Sequence, residues 1–296
     1  MSVRIGTRGS RLALAQAERV AALLLDSGHD SRIVIITTEG DTALGVPLHE
    51  IGGQGVFVRA LDDAILSGRI DCAVHSMKDI PARRPAGLAT CAILTRDSPA
   101  DFLAHTISPR EIRVIGTSST RRKAQLLRHM GDVDVRQLRG NVDTRLRKLA
   151  ESQYDAIVLA EAGMERLGLT IPGTRLSPDT FVPSPNQGTI AVVCRDEPAL
   201  CRILSPLDHP DTRTDVGIER VVMEEVGGGC FTPQGIYAQN GHLIAEILSL
   251  DGKRQVRREA DISSTEQARA FGQELRREGK ELIREAYERL GIRDER

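Results

Sequence analysis

Two short segments carry residue types suited to gripping an anion. Arg8 and Ser10 sit in a turn just ahead of an apolar-faced helix. Thr117, Ser118, Ser119, Arg121 and Arg122 sit in a second turn of the same kind. Backbone N–H groups, hydroxyls and the positive end of a helix attract negative charge, and a forked guanidinium suits carboxylate or phosphate. One such turn reads equally as plain N-capping; two with basic residues point to anion binding. Arg139, Arg145 and Arg166 add cations, each of which alone reads as a solvated helix face. Nucleotide phosphate is not indicated, because no G-x-x-x-x-G-K-S/T loop occurs and Gly52-Gly53-Gln54-Gly55 is too short for a dinucleotide fingerprint.

Asp79 follows an apolar run, stands beside Lys78 and precedes Pro81. A carboxylate at the mouth of a strand, near ammonium and guanidinium groups, stays ionised and can steady a cation or pass a proton. A loop Asp capping a turn has the same look. Cys230 lies in Gly227-Gly228-Gly229-Cys230-Phe231, a bare loop where a group can approach the sulfur closely. A nucleophilic or modified thiol fits that setting, but no His neighbours it, so an ordinary loop cysteine stays open. Residues 40–55 hold five glycines, which suits a flap over a site or a surface loop.

Composition limits the partners. The 296 residues are 40% hydrophobic and 27% charged, enough for about two domains of roughly 150 residues. Lys+Arg (40) and Asp+Glu (41) nearly cancel, yet nine basic residues face three acids between Arg121 and Lys148. No aromatic residue lies in that stretch, and base stacking needs them, so no nucleic acid is expected. No apolar run approaches the roughly 18 residues of a membrane span. The chain goes straight into strand-like Val3-Arg4-Ile5, leaving no room for a signal peptide, so a cytoplasmic setting is expected. Cysteines 72, 91, 194, 201 and 230 show no C-x-x-C or Cys/His ligand spacing, which argues against a disulfide framework and against metal. Cys72 and Cys194, in apolar runs, read as core.

The elements that position these residues alternate strand and helix. Val3 to Thr7 reads as a strand, and Ser10 to Leu25 as a helix with Leu12, Ala15, Val20 and Leu23 on its apolar face. Arg32 to Thr37, a helix over Phe57 to Leu66 and a strand over Ile70 to Val74 follow, ending at His75-Ser76-Met77-Lys78-Asp79-Ile80-Pro81. Such βαβ alternation predicts a mainly parallel sheet. The pattern then restarts: Val114-Ile115-Gly116-Thr117 echoes Arg4-Ile5-Gly6-Thr7, and Tyr154 to Leu159 echoes Ile70 to His75. Two similar α/β lobes suggest a ligand in a cleft beyond the strands' carboxyl ends. Past about Pro206, strands at Ile236–Ala238 and Leu243–Leu250 flank Asn240-Gly241, a hairpin signal. A long helix follows, with Ser263 and Glu266 spaced as a capping box. This last part reads as a small α+β domain.

From end to end the chain resembles the porphobilinogen deaminase (hydroxymethylbilane synthase) family. The matching stretches are Ile5-Gly6-Thr7-Arg8 through Gln16, Val74-His75-Ser76-Met77-Lys78-Asp79-Ile80-Pro81, Gly116-Thr117-Ser118-Ser119-Thr120-Arg121-Arg122, Leu138-Arg139-Gly140-Asn141-Val142-Asp143-Thr144-Arg145, Gln187-Gly188, and Glu219-Arg220 through Cys230. The H-S-M-K-D and L-R-G-N blocks are highly specific and occur in the right order. The resemblance implies an α/β fold of two periplasmic-binding-protein-like, doubly wound lobes plus a small C-terminal α+β domain. Domain 1 would span 1–96, domain 2 97–187, a return to domain 1 188–206, and domain 3 207–296.

The implied activity is head-to-tail condensation of four porphobilinogen molecules, with release of four ammonia molecules and of linear hydroxymethylbilane. Chain growth starts from a dipyrromethane cofactor held by a thioether to one cysteine, here Cys230. Each pyrrole carries an acetate and a propionate, which explains the arginines. By resemblance, Ser76, Lys78, Thr117, Ser118, Ser119, Arg121, Arg122, Arg139, Gly140 and Arg145 hold the cofactor. Arg8, Ser10, Gln16, Arg139, Arg145 and Arg166 meet substrate. Deamination gives an electrophilic azafulvene that the preceding ring's α-carbon attacks. Asp79 matches the catalytic aspartate, which steadies the cationic pyrrole nitrogens and moves protons. The partner implied is porphobilinogen alone, with no nucleic acid or membrane, and a monomer. Departures from the family pattern fall at Glu39, Glu50 and Gln54, in Ser184-Pro185-Asn186, and in Phe231-Thr232-Pro233-Gln234; none removes a catalytic or cofactor-bearing residue. The rival readings are a two-lobed carboxylate-solute binding protein without catalysis and an RNA binder using residues 121–148.

Overall fold

The computed structural model of the chain describes residues 2–37, 56–81, 84–227 and 231–291. The flap expected at 40–55 and the residues Gly228, Gly229 and Cys230 lie outside those described. The chain divides into two compact bodies, Met1–Asp97 with Gly188–Arg213, and Ser98–Gln187 with Thr214–Arg296.

The first body runs β1 (Val3–Thr7), α1 (Arg11–Asp26), β2 (Ser31–Ile35), α2 (Val56–Leu66), β3 (Cys72–Ser76) and β4 (Leu88–Ile93). The second continues with β5 (Asp101–His105), β6 (Val114–Gly116), α3 (Thr120–Met130), β7 (Asp134–Arg136), α4 (Val142–Ala150), β8 (Ala156–Ala160), α5 (Glu161–Arg166) and β9 (Gly173–Leu176). The chain then returns to the first body through β10 (Ile190–Arg195) and α6 (Pro198–Leu204). The last elements are α7 (Pro210–Val226), β11 (Gln234–Gln239), β12 (His242–Leu248), β13 (Gln255–Asp261) and α8 (Thr265–Leu290).

Two five-stranded sheets share one plan. Their orders are β2-β1-β3-β10-β4 and β7-β6-β8-β5-β9. In each, the first three strands run parallel and the fourth is antiparallel to both neighbours. The sheets are therefore mixed, because β5 and β10 are the strands that follow each passage of the chain between bodies. The leading strand of each sheet carries a glycine that its packing demands. A Cβ on Gly6 would collide with Ile70, and one on Gly116 would lie 2.9 Å from side-chain atoms of Leu138 and Tyr154.

The first core gathers Ile5, Val20, Leu24, Val74 and Val192 between sheet and helices. On α1 the buried face is Gln16, Ala17, Val20 and Leu24, rotated from the expected stripe, since Leu12, Ala15 and Leu23 are only half-buried. The rotation carries the Gln16 amide inward, where it finds a hydrogen-bond partner.

In the C-terminal part β11, β12 and β13 form an antiparallel sheet whose apolar face packs with α7 and α8 through Val222, Ile236, Leu243, Phe271 and Leu275. Asn240 and Gly241 form its hairpin turn with positive φ at both (52° and 80°). The N-cap of α8 is Ser264, not Ser263: Ser264 Oγ accepts from the Gln267 N–H at 3.2 Å, and Ser263 N–H instead donates to Gln267 Oε1 at 2.8 Å. Two adjacent serines made the spacing ambiguous. No helix among the described residues is long and apolar enough to cross a membrane.

Candidate functional site

In the first body, Ser10 caps α1 from an extended backbone, its Oγ accepting from the Ala13 N–H at 3.3 Å. Thr7 Oγ1 donates to the Ala13 carbonyl at 3.0 Å and fixes the turn that carries Arg8. β3 ends at Ser76 and runs into a single 3-10 turn, Met77–Asp79, closed by the Ile80 N–H on the Met77 carbonyl at 3.1 Å. Met77 is buried and anchors the turn, which leaves Asp79 exposed. Gln16 Nε2 donates to Ser76 Oγ at 2.8 Å and ties the helix to the strand end. Arg8, Ser10, Gln16, Ser76 and Asp79 line one cavity of about 90 Å³. Lys78 shares the turn with Asp79, is half-buried, and does not line that cavity.

His75 lines the same cavity, and sequence reasoning passed over it as part of a motif. Its Nε2 is buried without a hydrogen-bond partner. Burial, helped by the Arg84 guanidinium, pushes its pKa down to about 3, so the imidazole is neutral at ordinary pH.

The second body repeats the turn. The Thr117 N–H donates to the Arg136 carbonyl at 3.0 Å, Ser118 Oγ donates to the Leu138 carbonyl at 2.6 Å, and Ser119 Oγ caps α3 by accepting from the Arg122 N–H at 3.4 Å. Arg121 and Arg122 follow in the first helical turn, but both are buried and share the carboxylate of Asp101. Arg121 Nη2 lies 2.8 Å from Oδ2, and Arg122 Nη2 lies 2.6 Å from Oδ1. Arg121 Nη1 also donates to Gln125 Oε1 and to the Val182 carbonyl, each at 2.9 Å. Burial pushes the Asp101 carboxyl up, yet the two guanidinium groups outweigh it and hold it well below the usual carboxylate range. Asp101 was not foreseen, because an acid at the head of an apolar strand gives no local signal of its partners.

Gly140 takes φ +117°, where a side chain is strained and a Cβ would lie 2.7 Å from Thr144 Cγ2. That turn lets Asn141 cap α4, accepting from the Thr144 N–H at 2.9 Å. Arg145 on α4 donates Nε to the Gly140 carbonyl at 2.8 Å. Burial, together with the Arg122 charge, lowers its pKa to about 10. Its guanidinium forms no ion pair among the described residues. Arg139 is half-buried just before that turn, and Arg166, also half-buried, closes α5.

A carboxylate-bearing group suits this second turn. Burial, together with the neighbouring Arg122 charge, lowers the Arg145 pKa, and capped N–H groups and hydroxyls stand at the start of α3. A dipyrromethane with acid side chains supplies the missing negative charge, so the donor set fits it.

Repeated α/β units, each opening a basic, hydroxyl-lined helix mouth, with an exposed acid at one of them, define an α/β protein with two turns suited to anions. The chain belongs to the porphobilinogen deaminase family, a family of enzymes. Residues 3–202 match the family model for the porphobilinogen deaminase dipyrromethane cofactor-binding domain, and residues 214–281 match the porphobilinogen deaminase C-terminal domain. A probable porphobilinogen deaminase of Methanosarcina acetivorans is 52% identical, the match covering 95% of this chain and 94% of that one. A porphobilinogen deaminase of Nitratidesulfovibrio vulgaris is 41% identical, over 92% of this chain and 91% of that one. Among solved structures, a periplasmic substrate-binding protein of an ABC transporter from Coxiella burnetii aligns at TM-score 0.43 and 13% identity, over 74% of this chain and 96% of its own.

Proposed function

We propose that the chain condenses four porphobilinogen molecules head to tail into hydroxymethylbilane, releasing four molecules of ammonia, as a hydroxymethylbilane synthase. The observation that carries this is the gathering of Arg8, Ser10, Gln16, Ser76 and Asp79 around one cavity. Bound dipyrromethane supplies the free pyrrole α-position at which growth starts. Cys230 holds it through a thioether, while Thr117, Ser118, Ser119, Arg139 and Arg145 receive its carboxylates and Arg121 and Arg122, held by Asp101, position the turn. Arg8 and Ser10 orient the carboxylates of incoming substrate, with Arg166 assisting. The Asp79 carboxylate steadies positive charge on the pyrrole nitrogens and moves the proton that leaves the attacking α-carbon.

A monomeric cytoplasmic enzyme that binds no nucleic acid is part of the same reading. The family match does not favour the non-catalytic solute-binding alternative. The test is to incubate purified protein with porphobilinogen and to follow ammonia and hydroxymethylbilane. Binding without release of either product sinks the proposal.

A further inference from the structure

Three of the cysteines converge although they come from three elements. Cys91 Sγ is 2.9 Å from Sγ of Cys194 and 2.9 Å from Sγ of Cys201, and the latter two are 3.9 Å apart. No part of the reaction above uses them. The sequence spacing argued against a metal site, because linear spacing cannot report sulfurs contributed by β4, β10 and α6.

A buried thiol is most often a small apolar core residue. Cys72, which pairs with Cys194 across β3 and β10, fits that description: it is fully buried and is not one of the three sulfurs that meet. The other three differ in three respects. Their sulfurs face one another. Cys91 and Cys201 are only partly buried, so solvent reaches the group. Cys91 is also the extra residue of a β-bulge, since Thr90 pairs with Val193 and Ala92 with Val192, leaving Cys91 unmatched. Bulges re-aim side chains and recur beside functional sites. Arg213 pins this bulge, its Nη2 donating to the Thr90 and Cys91 carbonyls at 3.2 Å each while its Nε pairs with Asp208 at 2.7 Å.

We propose that Cys91, Cys194 and Cys201 form a three-thiolate site for a soft cation, with copper(I) as the ion it suits. Thiolates select soft metals. The group contains three sulfurs and, among the described residues, no His, Asp or Glu, whereas structural zinc takes four ligands. Three sulfurs each about 2.3 Å from one ion, the usual metal–thiolate length, lie about 4 Å apart; Cys194 and Cys201 already stand 3.9 Å apart, and Cys91 Sγ must move outward to complete the site. Each sulfur that ligates gives its proton to solvent. Copper enters and stays as Cu(I), so no electron moves.

The test uses the reduced, cofactor-loaded full chain under anaerobic conditions, titrated with copper(I) against bicinchoninate as competing chelator. The expected result is uptake of one equivalent with a sulfur-to-copper ultraviolet band. Cys91→Ser and Cys201→Ser should each weaken uptake at least tenfold while circular dichroism shows an intact fold. Cys72→Ala should retain it. Absence of uptake, or uptake unchanged in both Cys91→Ser and Cys201→Ser, overturns the site. Mild oxidation that links two of the three sulfurs in a protein whose reduced form takes up no copper also overturns it, in favour of a redox pair.

Discussion

Arg122 grips Asp101 through two nitrogens, Nη2 at 2.6 Å and Nε at 3.2 Å, both on the same carboxylate oxygen. Arg121 holds the other oxygen, so one buried acid organises two consecutive arginines at the mouth of α3. Removing one member of a buried ion pair leaves an uncompensated charge and costs about 3–5 kcal/mol. Asp101→Ala should lower the urea-unfolding free energy of the cofactor-free chain by that amount. Replacing both arginines with Leu should cost the fold as well as cofactor loading. Arg145→Leu, which breaks no ion pair, should impair loading while unfolding shifts by no more than about 1 kcal/mol. Equal unfolding curves for wild type and Asp101→Ala would show that the pair contributes nothing.

Asp79 is exposed on a short turn whose anchor is Met77. Asp79→Asn keeps the shape and removes the charge, so the thermal midpoint should hardly move. Turnover should fall by about a hundredfold or more, the range for acid–base and electrostatic roles. Near-normal turnover in a folded, cofactor-bearing mutant removes Asp79 from the chemistry.

Cys230→Ser should abolish covalent cofactor attachment, because a hydroxyl is a far weaker nucleophile than a thiol at neutral pH. Intact mass and Ehrlich's reagent on denatured protein read this directly. Pyrrole colour that survives the substitution moves the anchor to another residue.

Arg8 stands at the other mouth, on the cavity that also holds Asp79. Arg8→Leu should allow the cofactor to load and then stall elongation, since substrate loses its orienting charge. Native electrophoresis separates enzyme carrying successive added rings by their extra carboxylates. Passage through all those forms at the normal rate would refute a division of labour between the two mouths.

His75 gives the acid side of the stability curve a signature. Its pKa falls from 6.5 in the unfolded chain to about 3 in the fold. Between those values the unfolded state binds more protons, so stability is complete above the upper value and is lost as pH falls through the interval. The slope from one such group is about 1.4 kcal/mol per pH unit. Asp101, also depressed, adds its loss only below the ordinary carboxylate range. His75→Gln should therefore flatten the decline in urea midpoint above about pH 4 and leave the steeper fall at lower pH. An unchanged profile assigns the acid sensitivity elsewhere.

Local chemistry was legible in the residues themselves. Ser10 and Ser119 announce helix starts, Asn240-Gly241 announces a hairpin, and the echo of Ile5-Gly6-Thr7 in Ile115-Gly116-Thr117 announces two related sheets. Each depends on backbone preferences and hydrogen bonds that span a few residues, so a short stretch of sequence determines them. The family motifs marked Asp79 and the basic turns on the same footing.

Contacts between distant segments were not legible. Gln16 meets Ser76 because α1 turns its amide toward the end of β3, a rotation that the periodicity of Leu12, Ala15 and Leu23 misstated. Asp101 neutralises Arg121 and Arg122 because β5 enters the sheet beside β8, and that pairing decides which arginines stay available to a ligand. Cys91, Cys194 and Cys201 meet because a bulge in β4 turns one sulfur toward β10 and α6. The sequence by itself determined the turns, the helix starts at Ser10 and Ser119 and the acid that faces the cavity. Only the tertiary structure decided which charges cancel and which sulfurs touch, because pairing energies depend on separation in space, and strand order sets that separation.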